Sequence, residues 1–311
     1  MIILALLLVS GTGMIYLGAE GLVWGGSRIA ARFHVPPIVI GLSVVAFGTS
    51  LPEFTVSLYS VINGVPDIAV GNVVGSNIAN VALILATSAV IFPITADFRK
   101  IRNDILIVIG ITIFFIALSL NGTLGRIDGS LLVIGIILYL GRLYRIRTVT
   151  PELAPSAHAK PLSAYIGGVV AGLALLALGA YVFTNGAVKL ARIIGISELV
   201  IGVTIVALGT SLPELATSLV AAFRKQSGIV LGNILGSNVF NMMVVLGVIP
   251  IFRPVEVPLE SRWVQMPVML VLTVVLLPIL KYRRGIKRGM GVFLLVIYVA
   301  FTIYMYHTGR I

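Results

Sequence analysis

Gly48-Thr49-Ser50-Leu51-Pro52-Glu53 decides the fold, because the same six residues return as Gly209-Thr210-Ser211-Leu212-Pro213-Glu214. Each copy puts a carboxylate straight after a helix-breaking proline, within a run otherwise apolar enough to cross a bilayer. An acid in hydrocarbon is costly and is therefore a functional-site candidate. Two acids in matching surroundings point to the floor of one cation-binding site.

The repeat extends outward from these hexapeptides at a fixed offset of 161 residues. Gly41 maps onto Gly202, Ala46 onto Ala207 and Thr49 onto Thr210. Gly71-Asn72 maps onto Gly232-Asn233, Gly75-Ser76-Asn77 onto Gly236-Ser237-Asn238, and Asn80 onto Asn241. Apolar helices match Leu with Val by chance, but not Pro-Glu and Gly-Ser-Asn at one spacing.

The chain of 311 residues is 59% hydrophobic and 11% charged. Its mean hydropathy is +1.11. Too little polar surface is available for a water-soluble domain. Runs of about 20 apolar residues give ten spans near 2–33, 36–61, 67–92, 103–121, 127–144, 163–193, 197–222, 227–251, 263–281 and 289–307. The first is long enough to tilt. The fold class is thus an all-α polytopic membrane protein. Five spans separate equivalent points, and this odd number inverts one copy relative to the other. The expected organisation is a first repeat over 1–150, a linker over 151–162 and a second repeat over 163–311, with the second and seventh helices broken. Inverted repeats with matched helix breaks place a substrate site at the bilayer midplane.

Cysteine is absent, which excludes disulfides and thiolate metal sites. The three histidines, His34, His158 and His307, are too far apart for metal-ligand spacing. The net charge of +11 reads as loop charge rather than nucleic-acid binding. With the N-terminus outside, the outer side holds only Arg126, Lys189, Arg192, Arg253, Arg262 and Arg310. The remaining sixteen of the 22 Lys and Arg are inside. That asymmetry places both termini outside and the central linker in the cytoplasm.

Pro52 lacks an N–H and its ring crowds the Gly48 carbonyl, so the helix kinks or unwinds there. Carbonyls from Ala46 to Thr49 are expected to lose helical partners, which is tolerable only against protein or a wet cavity. Glu53 then opens a new half-helix, whose positive dipole end favours an anion. Thr49 and Ser50 add hydroxyls, and the argument repeats for Thr210, Ser211, Pro213 and Glu214. No Lys or Arg sits centrally in any span to pair with either glutamate. Ser76 and Asn80 share a helix face, as do Ser237 and Asn241. Asn77 points elsewhere, to pack or hydrogen-bond. Gly71 and Gly75 have the spacing that lets helices approach closely. Glu20, which becomes Tyr181 in the repeat, reads as interfacial or paired with an arginine. These donors are all oxygen, which selects hard cations. Two ionised glutamates balance one calcium, and sodium suits the same donors.

These motifs, Gly-Thr-Ser-Leu-Pro-Glu with Gly-Asn-x-x-Gly-Ser-Asn-x-x-Asn and both doubled, resemble the cation/calcium exchanger superfamily, in its sodium/calcium exchanger branch of prokaryotic type. The resemblance spans essentially the whole chain. It implies a secondary antiporter in a cell membrane, exchanging sodium for calcium by alternating access, with the first and sixth helices sliding over the other eight. It implies no enzyme activity and no cofactor, with calcium, sodium and the lipid bilayer as partners and a monomer sufficient for transport. In that scheme Glu53 and Glu214 bind calcium and share sodium. Thr49, Thr210 and the carbonyls of Ala46 and Ala207 serve calcium and flanking sodium sites. Ser50, Ser211, Ser76 and Ser237 complete the sodium sites, and Asn80 and Asn241 line the centre. Some relatives carry Asp at the Asn241 position, including the potassium-dependent branch, so two amides here argue against potassium dependence. The proton-coupled branch carries a further acid in the Gly-Asn motif, where this chain has Val73-Val74 and Ile234-Leu235. Proton/calcium antiport is the alternative, followed by a cation channel. A hydrolase built on the two acids lacks any nucleophile–base constellation.

Overall fold

A computed structural model describes residues 2–145, 160–195, 205, 207–283 and 285–308. Nine described helices are long and apolar enough to cross a membrane. They are α1 (Ile2–Arg32), α2 (Pro37–Ile62), α3 (Pro66–Ile91), α4 (Phe98–Ser119), α5 (Arg126–Arg145), α6 (Leu162–Ile193), α8 (Ser227–Phe252), α9 (Ser261–Tyr282) and α10 (Arg288–His307). The seventh expected span is described as a helical turn, Ala207–Thr210, followed by α7, Leu212–Phe223. The rest of that span lies outside the described residues, as does most of the expected linker.

α4 starts five residues before its expected boundary. The Asp97 side chain accepts the Arg99 backbone N–H at 3.1 Å and caps the helix. Arg99, Lys100 and Arg102 therefore occupy its first turns rather than a loop.

α1 has 31 residues, about 46 Å at helical rise, against roughly 30 Å of hydrocarbon. It runs antiparallel to the equally long α6. Glycines let the two backbones touch: a Cβ at Gly18 would lie 2.7 Å from the Gly172 carbonyl oxygen, and one at Gly25 2.6 Å from that of Tyr165. Gly11, Gly18 and Gly25 map at the repeat offset onto Gly172, Gly179 and Gly186, so the pair is built twice from the same pattern.

α3 and α8 are the most enclosed spans, whereas α1, α5, α6 and α10 present apolar side chains outward, such as Leu6, Ile137, Leu138 and Val296. α8 packs tightly on the first half of α2. A Cβ at Gly232 would lie 2.5 Å from the Ile38 carbonyl oxygen, and one at Gly236 2.6 Å from the Ala46 Cβ. Residues 199–207, which the repeat sets opposite Gly71 and Gly75, lie largely outside the described residues.

Two short antiparallel ladders tie the loops together at opposite ends of the bundle. β1 (Ile94–Thr95) pairs with β4 (Gly285–Ile286), and β2 (Thr123–Leu124) pairs with β3 (Val255–Glu256). Gly285 has φ +144°, and a Cβ there would collide with the Ile94 carbonyl. Only glycine serves at that position.

A pseudo-symmetric cation site

Both helix breaks fall on a serine. Ser50 (φ −83°, ψ 2°) separates Ala46–Thr49 from Leu51–Ile62, and Ser211 (φ −87°, ψ 5°) precedes Leu212–Phe223. The prolines sit in the first turn of the following segment, where a fixed φ suits helix initiation. The break thus comes two residues before the expected one. This corrects the expectation for the Ala46 carbonyl, which accepts the Ser50 N–H at 3.1 Å. Pro52 removes the donor that would serve Gly48, not the one that serves Ala46. Gly48 and Gly209 are both glycine because α6 crosses over each break. A Cβ at Gly48 would run into Leu173, and one at Gly209 would lie 2.5 Å from Thr184 Oγ1.

The breaks hand their hydroxyls across the molecule. Ser211 Oγ donates to Glu53 Oε1 at 3.2 Å, and Ser50 Oγ donates to Glu214 Oε1 at 3.3 Å. Each carboxylate is therefore held by the opposite repeat, and both are essentially inaccessible. Ser76 Oγ lies 3.4 Å from Ser211 Oγ. Thr49 Oγ1 donates to Asn233 Oδ1 at 3.1 Å and lies 3.4 Å from Ser237 Oγ. Thr210 is buried beside these groups. Ala207 begins the turn that leads into the second break.

Four asparagines from α3 and α8 lock the two repeats together. Asn80 Nδ2 donates to Asn238 Oδ1 at 2.9 Å, and Asn241 Nδ2 donates to Asn77 Oδ1 at 3.1 Å. Asn77 and Asn238 also donate to each other's backbone carbonyls, at 3.3 and 3.4 Å. Each of these four bonds has its counterpart at the repeat offset, which is the two-fold axis seen directly. Asn77 and Asn238 spend their side chains on this lattice. It turns the amides of Asn80 and Asn241 so that their oxygens stay free.

Among the described residues, four buried acceptors at this centre have no hydrogen-bond partner: Glu53 Oε2, Glu214 Oε2, Asn80 Oδ1 and Asn241 Oδ1. They form two symmetric pairs. Unpaired buried acceptors of this kind are expensive in a low-dielectric interior. No lysine or arginine forms an ion pair with either glutamate among the described residues. A hard cation resolves both deficits, because it supplies positive charge and takes oxygen ligands.

Two features of the site escaped the sequence reading. Asn72 Nδ2 donates to the Glu53 carbonyl at 3.2 Å and to Ser57 Oγ at 3.0 Å, while Asn233 Nδ2 donates to the Glu214 carbonyl at 3.2 Å and to Ser218 Oγ at 2.9 Å. These amides clamp each glutamate's own turn to the neighbouring helix. Their recurrence at the repeat offset was the available signal. The second feature is a π-helical turn starting at Asn80 (Asn80–Leu85) and again at Asn241 (Asn241–Val245). Such turns cluster at functional sites, and nothing in the composition of either segment announces them.

An inverted pair of five-helix repeats, with broken helices and an oxygen-lined charged centre, defines a secondary cation transporter. Comparison with known proteins makes the class specific. The family profile described as sodium/calcium exchanger protein matches residues 3–145 and 164–307. An uncharacterized membrane protein of Methanocaldococcus jannaschii is 37% identical over 93% of each chain. The sodium/calcium exchanger MaX1 of Methanosarcina acetivorans is 30% identical, over 97% of this chain and 98% of its own. Among solved structures, the sodium-calcium exchanger NCX_Mj superposes with a TM-score of 0.84 at 36% identity, covering 96% of this chain and 98% of that one. The chain belongs to the sodium/calcium exchanger family, and its activity is antiport of sodium against calcium.

Proposed function

We propose that calcium binds on the pseudo-two-fold axis between Glu53 and Glu214. The observation that carries this reading is the symmetric set of four unpaired acceptors. Two carboxylates balance the charge of one calcium, and the amide oxygens of Asn80 and Asn241 add neutral donors. The second lone pairs of the Ala46 and Ala207 carbonyls complete a shell of the 6–8 oxygens that calcium takes. Sodium uses the same glutamates together with the hydroxyls of Thr49, Thr210, Ser50, Ser211, Ser76 and Ser237. Shared carboxylates make occupancy by calcium and by sodium mutually exclusive, which is the chemical basis of exchange. With both sites empty, two buried charges oppose a conformational change; with either ion bound, that penalty falls.

The repeats act as units 1–150 and 163–311, joined by a cytoplasmic linker over 151–162, with both termini outside and the protein in the cell membrane. The distribution of Lys and Arg supports this orientation. Transport requires one chain, the bilayer and the two ions; there is no cofactor and no enzymatic step.

The coupling ion is tested by calcium flux in proteoliposomes under crossed sodium and pH gradients. Calcium should move against the imposed sodium gradient and ignore the pH gradient. Flux that follows pH and ignores sodium would install proton coupling instead.

A further inference from the structure

The two-fold symmetry of the site breaks down at its edges. α1 packs along α7, Leu212–Phe223, which follows the break in the seventh span. The symmetric contact, α6 on the second half of α2 (Leu51–Ile62), is only marginal. Burial differs in the same sense at two positions: Thr217 and Val220 are buried, whereas their counterparts Val56 and Tyr59 are half-buried and exposed, and Ala221, Ala222, Ser60 and Val61 are buried in both halves. In an inverted repeat, exchanging the conformations of the two halves generates the opposite access state. The structure therefore has the α1–α7 seam closed, and the exchanged state has it open.

One ion pair spans that seam. Arg224, just past α7, donates from Nε and Nη2 to the two carboxylate oxygens of Glu20 on α1. Such two-point geometry is the strong form of a surface pair. At the repeat offset the equivalent residues are Tyr181 and Asn63. Those two have no opposite charges, and the Asn63 amide is occupied by the Tyr59 carbonyl at 2.8 Å. The exchanged state thus has no matching ion pair to replace the one it breaks.

We propose that Glu20 and Arg224 are positioning residues that set the sidedness of calcium affinity, by holding α1 across α7 and favouring the state closed on the Arg224 face. They touch no ion. They act through the fraction of molecules in each access state, and an apparent dissociation constant scales inversely with the competent fraction. The inference rests on the exchange reading above for its transport readout only.

The test uses the full chain in vesicles of one orientation, with wild type, Glu20→Gln, Arg224→Gln and the charge-reversed pair Glu20→Arg/Arg224→Glu. Each single variant should tighten calcium affinity from the Arg224 face and weaken it from the opposite face, changing their ratio by about two- to fivefold. The reversed pair should return the ratio toward wild type. A merely structural pair would lower affinity on both faces alike, and that result, or an unchanged ratio, overturns the proposal. Hydrogen exchange gives a readout without transport. Amides of 212–223 should exchange faster in the single variants and those of 51–62 should not; equal change in both segments also overturns it. Failure of wild-type sodium-driven flux would instead strike the exchange reading, and the exchange-rate result would still decide the latch.

Discussion

Glu53→Gln removes one of the two central charges while leaving the rest of the site in place. The glutamine Oε1 still accepts the Ser211 hydroxyl, but the unpaired Oε2 becomes an amide donor facing the cation. Two unit charges 4 Å apart interact by about 4 kcal/mol at an effective dielectric of roughly 20, so a divalent ion loses about 8 kcal/mol. The wild-type carboxylate carries a desolvation cost that the amide avoids, and this cancels a large part of the loss. If half survives, calcium binding weakens by about 4 kcal/mol, or roughly a thousandfold, and sodium binding by about 2 kcal/mol, or roughly thirtyfold. The calcium-to-sodium preference should therefore fall about thirtyfold. Glu214→Gln should match it within a few-fold, because the symmetric bonds are equal within 0.1 Å. Calorimetric titration of the purified variants with calcium and with sodium reads both numbers. The ion-free melting temperature should hold or rise, since an uncompensated buried charge has been removed. Calcium affinity within tenfold of wild type, or equal losses for the two ions, would refute the reasoning.

Three further outcomes follow from neighbouring contacts. Asn233→Leu deletes the amide that holds the Glu214 carbonyl and Ser218 and should cost about 1–3 kcal/mol of stability. Its calcium KM should rise, and thermal unfolding with and without calcium separates the two effects. Arg142→Leu strands Asp104, which pairs with Arg142 at 2.8 Å. The loss should be about 1–2 kcal/mol, below the fully buried figure because the arginine is one-third exposed, and Asp104→Asn in the same chain should recover part of it in denaturant melts. Gly18→Leu forces a side chain into the Gly172 and Leu176 backbone, costing about 1–3 kcal/mol or more, and should slow flux more than it weakens equilibrium calcium binding.

The sequence made the inverted architecture legible because proline, glutamate and the Gly-Ser-Asn triplet recur at one offset, and helix periodicity is irrelevant to that signal. The same logic isolated Glu53 and Glu214 and left Glu20 as interfacial or paired with an arginine; in the structure it pairs with Arg224. Local detail was less visible. The break lies at Ser50 rather than Pro52 because a proline acts on the carbonyl four residues back and then starts a helix readily. The Ala46 carbonyl consequently keeps a partner. Asn72 and Asn233 recur in the repeat, but the sequence assigns them no role, since only the fold brings them against the glutamate turns. The close contacts at Gly11, Gly18 and Gly25, which recur in α6 at the repeat offset, carry no signature of the asymmetry between α1 and α6. Glu20 and Arg224, which meet across the α1–α7 seam, are two residues that the repeat does not copy.

Calcium on the axis between the two glutamates is open to direct observation. Anomalous diffraction from crystals soaked in strontium, a heavier alkaline-earth ion, locates that ion directly. A single strong peak is expected within coordination distance of Glu53 and Glu214, contacted by Asn80 Oδ1 and Asn241 Oδ1, and absent from the double glutamine variant. A peak that stays in that variant, or lies away from both carboxylates, would contradict it.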